Sequence, residues 1–482
     1  MTRTKMKQSA LLTALRTLTS AAALVVLLSP AAAAPDAPPP SAPRDPRIDA
    51  VLADISAARI EHDIATLVGF GTRHTLSETA SDTRGIGAAR RWILGELQAC
   101  AARPGARLKV EAQPFTQPAG VRVSAPIELV NLVATLPGTA PAAKDRLLVV
   151  SGHYDSRVSD VMNATADAPG ADDDGSGTAA VIAMACAMAT SSFDATIVFL
   201  AVPGEEQGLY GSEHWAAEAA RQGLDVEAMI TNDIVGTPRA DGGRARPGEP
   251  RVLRLFADGL DPLLRQYAGH GQLDAAAQAR LQQLALGGGA ADLPTQQLAR
   301  AIAAAARRYV PAIELHVIQR RDRYLRGGDH IPFLARGWAA VRLTEPYENF
   351  DHQHQDLRRE GTRVYGDLPE YVDPDYVADV ARVNAAALAT LALAPAAPRE
   401  VRIDARELDT GTTLRWQRDA DAAGYRIVWR VPGEPDWTHG VDVGAVDHAR
   451  LEVSKDDVVF GVEALSRSGE PSLASFPLPQ SR

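Results

Sequence analysis

Residues 146–177 read RLLVVSGHYDSRVSDVMNATADAPGADDDGSG, and the rest of the chain is organised around them. Arg146–Val150 is a short apolar run of the kind a buried strand shows. It places His153 and Asp155 where that strand gives way to a loop. Asp172, Asp173 and Asp174 lie in a second loop, and Gly175-Ser176-Gly177 opens an apolar helix, Thr178–Met188. Aspartates at a helix start can serve as caps, because the dipole favours negative charge there. Three adjacent carboxylates also repel one another, and a cation would offset that charge. Histidine with carboxylates is the donor set that suits zinc or a similar divalent ion.

The same kind of residue recurs downstream. Gly204-Glu205-Glu206 follows the apolar run Thr196–Val202, and Asn232-Asp233 follows Met229–Thr231. Gly328-Asp329-His330 and His352-Gln353-His354 come later. Each set falls at or just past a strand end, the edge where open α/β sheets bind ligands.

Taken in order, HxD (His153, Asp155), GADDDGSG (Gly170–Gly177), GEEQGLYGS (Gly204–Ser212), TND (Thr231–Asp233) and GGDHIPF (Gly327–Phe333) resemble the co-catalytic zinc exopeptidases. That family includes bacterial secreted aminopeptidases and glutamate-carboxypeptidase-like enzymes. The resemblance spans roughly Ile48–Leu393. It implies two zinc ions per chain, with Asp173 bridging them, His153 and Asp233 completing one, and Glu206 with a late histidine completing the other. It implies a metal-bridging hydroxide as nucleophile, Glu205 as general base, and Asp155 as the group that orients the His153 ring. Asp329 and His330 are implied to lie near the site without binding metal, while Asp172 and Asp174 read as loop and cap residues. The late histidine has two candidates. Alignment on Gln-His selects His354, and alignment on Asp356 selects His352; one of the two is expected to bind.

The implied function is a metallo-exopeptidase, in the first instance an aminopeptidase acting on peptide substrates. A carboxypeptidase-like member would need an arginine cluster, for which Arg320, Arg321, Arg323 and Arg326 are candidates. A glutaminyl-cyclase-like member is the other alternative, since GGDHIPF is similar in both groups. A purely binding protein has no physical reason to keep five ligand positions and a base.

The N-terminus has a secretory pattern: Arg3, Lys5 and Lys7, an apolar run Ala21–Leu28, then Ala32-Ala33-Ala34 as a small-residue cleavage site. Residues 1–34 are therefore expected to be a signal peptide, the mature protein periplasmic or secreted, with no membrane contact after cleavage. Removal of Arg3, Lys5, Lys7 and Arg16 would take the formal net charge from −10 to −14, an acidic balance that argues against nucleic acid as a partner. Two cysteines, Cys100 and Cys186, cannot build a thiolate zinc site. Export permits their pairing, but Cys186 falls within an apolar helix and reads as a buried thiol.

Residues 35–46 are proline-rich and read as an extended linker. Ile48–Leu67, Arg84–Ala99, Gly211–Gln222 and Asp375–Leu393 have helical spacing, and residues 260–310 are helical with a break at Gly287–Gly289. Strands are expected at Leu108–Pro114, Ile127–Leu136, Val252–Phe256, Ile313–Val317 and Ala339–Leu343 as well as at the motif-bearing runs. This alternation predicts an α/β domain over residues 47–395, three layers with a mostly parallel mixed central sheet between helices. Past Ala394–Pro398, the short alternating runs Thr412–Trp416, Tyr425–Trp429 and Phe460–Ala464 predict a small all-β sandwich over 398–482, similar to a fibronectin type III domain. Trp416 and Trp429 read as packing residues.

Overall fold

A computed structural model describes residues 38–480 except 41, 260–271, 288 and 407–408; the expected signal peptide lies outside the described residues. Ten helices are labelled here: α1 Pro46–Asp54, α2 Ala57–Gly69, α3 Gly85–Ala101, α4 Gly175–Met188, α5 Glu205–Gly208, α6 Tyr210–Arg221, α7 Ala275–Gly287, α8 Pro294–Tyr309, α9 Ile331–Ala335 and α10 Pro374–Leu393. Eight strands, β1 Lys109–Gln117, β2 Ile127–Leu136, β3 Arg146–His153, β4 Thr196–Val202, β5 Asp225–Asn232, β6 Arg251–Ala257, β7 Ile313–Ile318 and β8 Ala340–Thr344, form one sheet in the order β1-β2-β4-β3-β5-β8-β6-β7.

The central strands β4, β3, β5 and β8 run parallel. β1 and β2 add antiparallel strands on one side, and β6 joins β8 antiparallel on the other. β4 is buried at every residue, which is why TIVFLAV carries no polar alternation. One face of the sheet packs against α3, α4, α8 and α10 through Ile93, Val181, Ile302 and Leu388, and α2 lies outside them on α4 and α10. The other packs against α6 and α9 through Val149, Leu200, Trp215 and Phe333. α10 is long and apolar enough to cross a membrane, but 94% of that window is buried inside the fold.

The expected helix over Ile48–Leu67 is two helices. Ile55 leaves the helical region and Ser56 caps α2, its hydroxyl accepting from Arg59 N–H. The proline-rich segment is not a free linker to its end. Asp45 caps α1 and its N–H donates to the Tyr309 hydroxyl at 2.9 Å, while Arg308 donates to the Pro43 carbonyl. Cys186 is not a thiol: it is bonded to Cys100, tying α4 to α3 across 86 residues. Both cysteines are buried, so burial within an apolar helix did not separate a thiol from a disulfide.

The C-terminal region has two small sheets: β9 Arg399–Ile403, β10 Thr412–Gln417, β13 His448–Leu451 and β15 Leu478–Pro479 in one, and β11 Gly424–Arg430, β12 His439–Gly444 and β14 Val459–Leu465 in the other. Their inner faces enclose Leu414, Trp416, Tyr425, Ile427, Trp429, Phe460 and Val462.

Candidate metal centre

The carboxyl ends of β3, β4 and β5 converge. His153 is the last residue of β3, Glu206 lies in α5 just after β4, and Asp233 follows β5 directly. Asp173 and Asp174 precede α4, which packs back on the end of β5 so closely that a Cβ on Gly177 would lie 2.3 Å from the Asn232 carbonyl oxygen. That approach brings the aspartate loop to the strand ends.

Asp174 is the α4 cap, and it does more than cap. Its carboxylate accepts from Gly177 N–H and His153 N–H, both at 2.9 Å, and from Ile234 N–H at 3.4 Å. One side chain thus fixes β3, α4 and the exit of β5. Asp367 accepts from the N–H of Asp172 and Asp173, and the fully buried Arg73 donates to the Tyr154 and Gly170 carbonyls at 2.8 Å. The loop carrying Asp173 is therefore held from both sides.

Two trios of ligand atoms result: His153–Asp173–Asp233 and Asp173–Glu206–His354, each with its atoms within 4.8 Å of one another. Asp173 belongs to both. Its Oδ1 is 3.3 Å from His153 Nε2 and its Oδ2 is 2.9 Å from His354 Nε2. His354 Nε2 is also 2.9 Å from Glu206 Oε1, and His153 Nε2 is 3.9 Å from Asp233 Oδ1. His153, Asp173, Glu206 and Asp233 are at most 5% exposed. His153 Nε2 and Glu206 Oε1 are buried without a hydrogen-bonding partner. Orphaned nitrogen and oxygen atoms facing a shared carboxylate are what a divalent cation would satisfy, so these residues fit zinc.

The electrostatics agree. Burial opposes a charge on each group, yet His354 and His153 hold Asp173 well below the usual carboxylate range, and Arg342 and His153 lower Asp233. Burial also disfavours an imidazolium at His354, but Glu206 and Asp173 raise it to about 10.

Asp155 lies beside the other His153 nitrogen: Nδ1 is 3.2 Å from its carbonyl and 3.4 Å from its carboxylate. The same carboxylate accepts from Thr75 Oγ1 at 2.8 Å and from the N–H groups of Glu205 and Glu206. Glu205 is half-buried at the first turn of α5. Burial, with Asp233, Glu206 and Asp329 nearby, pushes its carboxyl well above the usual range. Asp329 is 1% exposed, and burial raises it to about 7 against the pull of His153 and the Ser212 hydroxyl beside it. His330 is buried, its Nε2 2.8 Å from the Arg321 carbonyl.

His352 is not brought to the trios. Its ring stacks on Tyr371 at 3.6 Å between centroids; residues 351–354 form a turn with His354 at a φ of 56°, and that backbone sends the two rings apart. Of the arginine candidates, Arg323 is taken up by Asp322 and Glu348, Arg320 donates to the Asp322 carbonyl and stacks over Tyr324, and Arg326 reaches Gln353.

Three supporting residues were not anticipated. Arg342, fully buried, pairs with Asp233 at 2.8 Å; a charge inside the apolar run Ala339–Leu343 was its signal. Arg157 contacts Glu206 at 3.0 Å and His354 Nδ1 at 2.7 Å, and only its closeness to Asp155 marked it. Asp367 had no sequence signal.

A histidine–carboxylate centre at the carboxyl edge of a parallel sheet defines a metal-dependent hydrolase of the α/β class. Residues 131–361 match the model of peptidase family M28. A probable zinc metalloprotease of Pyrenophora tritici-repentis is 44% identical over 91% of this chain and 88% of its own length. Another, from Leptosphaeria maculans, is 44% identical over 90% and 97%. Among solved structures, the LapA aminopeptidase of Legionella pneumophila is similar over 72% of this chain and 75% of its own, at 19% identity and TM-score 0.48, too distant to transfer an activity. The chain belongs to the M28 family of zinc metallopeptidases. The relatives named at high identity are fungal, which corrects the bacterial association drawn from the motifs.

Proposed function

We propose that this chain is a two-zinc exopeptidase of the aminopeptidase type. The observation that carries the reading is the pair of ligand trios sharing Asp173; a single-metal enzyme would leave one trio without a role. His153 and Asp233 would hold one ion, Glu206 and His354 the other, and Asp173 both. When bound, zinc polarises a carbonyl and lowers the pKa of a water at the site. Glu205, adjacent in sequence to Glu206 but in neither trio, takes the proton from that water and returns it to the departing amine. Asp155 keeps the His153 ring oriented.

The direction of cleavage rests on charge. Asp329 offers a buried carboxylate, a partner for the free α-ammonium of a peptide. Of the arginines that would receive a carboxylate end, Arg320 and Arg323 are engaged elsewhere. The Cys100–Cys186 bond supports a periplasmic or secreted protein, since disulfides persist in oxidising compartments.

The test pairs metal content with hydrolysis of aminoacyl-nitroanilides. The expected result is two zinc ions per chain, chelator-sensitive release from free amino termini and none from N-blocked substrates. His354→Ala should lose one ion, and His352→Ala none. One zinc in the native protein, or cleavage of blocked substrates, would overturn the reading.

A further inference from the structure

The outer face of one sandwich sheet is covered rather than solvated. In β11 and β14, Tyr425, Ile427, Trp429, Phe460, Val462 and Ala464 face the sandwich core. The alternate residues Arg426, Val428 and Glu463 therefore face outward, yet Val428 is only 1% exposed. They form one wall of a cavity of about 590 Å³, whose other walls are α8, Thr390 of α10 and the segment around Pro39. Small-molecule sites run to about 300–1,000 Å³ and favour the seams between domains. Glycines let the flanks close in. Gly440 and Gly461 lie on either side of Val428 in register. A Cβ on Gly461 would lie 2.8 Å from the Trp437 ring, and one on Gly440 would lie 3.0 Å from Pro39.

The chemistry of the lining is one-sided. Between its charged groups the walls are apolar, with Ala301, Ala304 and Ala305 of α8 facing Val428 and Leu473. The guanidinium groups are committed. Arg44 pairs with Asp49, Arg300 with Asp292, Arg307 with Asp436, Arg308 with Glu470 and Arg426 with Asp442, each at 3.0 Å or less. Glu463 is the exception. Its carboxylate has no hydrogen bond among the described residues, and the cation beside it, Arg426 Nη1, stands 4.0 Å away. Asp442, on the opposite side of β11, holds that guanidinium at 2.6 Å instead. Arg308 Nε and Thr390 Oγ1 also lack partners, but both atoms are buried. The cavity thus offers a carboxylate and no uncommitted guanidinium. Such a lining rejects an anion and receives a positive charge carried on an apolar body. Burial already opposes the Glu463 charge, pushing its carboxyl up to about 7.

We propose that this cavity is a binding site for a small primary amine with an apolar body. Glu463 supplies the counter-charge, and Val428 with the alanines of α8 supplies the apolar walls. Both domains contribute, so the bound amine fastens the sandwich to α8. The proposal does not rest on the reading of the metal centre.

The test is isothermal titration of the zinc-loaded full chain with hexylamine, and with hexanoate for comparison. It is run on the native protein, Glu463→Gln, Ala304→Leu and Asp329→Asn, with each fold checked by circular dichroism. The native chain should bind hexylamine saturably and hexanoate not at all. Glu463→Gln should weaken hexylamine binding by about tenfold or more, the loss of one hydrogen bond to a charged group, with hydrolysis unchanged. Ala304 is exposed on α8 at the cavity wall; Ala304→Leu takes up space without touching Glu463 and should weaken binding too, which keeps the test decisive if Glu463→Gln does not fold. Asp329→Asn removes the carboxylate that could hold an ammonium near the metal centre and should leave the Glu463-dependent step in place. Because the amine binds only the docked domains, it should also raise the unfolding temperature of the native chain and not of Glu463→Gln. Equal binding to the native chain, Glu463→Gln and Ala304→Leu would overturn the proposal. So would binding lost in Asp329→Asn alone, hexanoate binding as tightly as hexylamine, or no saturable binding in the millimolar range.

Discussion

Glu205 and Glu206 are neighbours in sequence with different surroundings. Glu206 is 5% exposed and points at His354, while Glu205 lies beside the trios without joining either. Glu205→Gln keeps the shape and removes the proton acceptor, so kcat should fall by about 10²–10⁴-fold with zinc content unchanged. Loss of zinc would instead make Glu205 part of the metal scaffold. His330 carries a pH prediction. Burial, against the pull of Asp322, lowers its imidazole from 6.5 to about 4. The folded value lies below the unfolded one, so the neutral ring contributes fully above pH 6.5, and that contribution is lost as pH falls through about 4. The shift corresponds to roughly 3 kcal/mol. Buried carboxyls such as Asp329, raised to about 7, pull the other way over the same interval, so the readout is a difference: urea midpoints of the metal-free protein minus those of His330→Gln should rise with pH between 4 and 6.5, and a constant difference would assign the dependence to other groups.

The contact of α4 with the end of β5 decides whether the aspartate loop reaches the strand ends. A Cβ on Gly177 would meet the Asn232 carbonyl at 2.3 Å and the Asp174 carboxylate at 2.5 Å, so backbone and cap would both have to move. Gly177→Ala should cost about 1–3 kcal/mol and weaken zinc binding as well, because Asp174 positions His153; a thermal shift without a change in zinc affinity would separate packing from the site. At this scale the sequence was legible. IVFLAV and LLVV are apolar throughout because both faces of β4 and β3 are covered, and the bounds of the two strands were readable within a few residues. What eluded the sequence was whatever depended on distant partners. The stop at Ile55 is set by a cap, the Cys186 bond by α3 packing beside α4, and the clamp of Asp367 on the aspartate loop by a residue nearly 200 positions away. The trio members lay in motifs; the arginines and the aspartate that hold them did not.

The C-terminal sandwich is fastened to the catalytic domain at α8. Arg308 pairs with Glu470, Arg300 donates to the Pro435 carbonyl, and Trp437 lies against both Arg300 and Arg430. At the centre, Asp292 is fully buried between Arg300 at 2.9 Å and Arg430 at 2.7 Å. One carboxylate thus neutralises guanidinium groups from two domains, and removing it would leave two buried positive charges facing each other. That arrangement predicts that the domains unfold together in the native chain, as a single calorimetric transition. Asp292→Ala should cost about 3–5 kcal/mol, the range for breaking a buried ion pair by removing one partner, and should split the transition in two, with the sandwich released first. Zinc content and Glu205-dependent hydrolysis should survive, since no trio residue touches Asp292. Two transitions already present in the native chain would make the sandwich an independent unit, and a single unchanged transition in Asp292→Ala would place the coupling in the Arg308–Glu470 pair and the segment around Pro43 that Arg308 also holds.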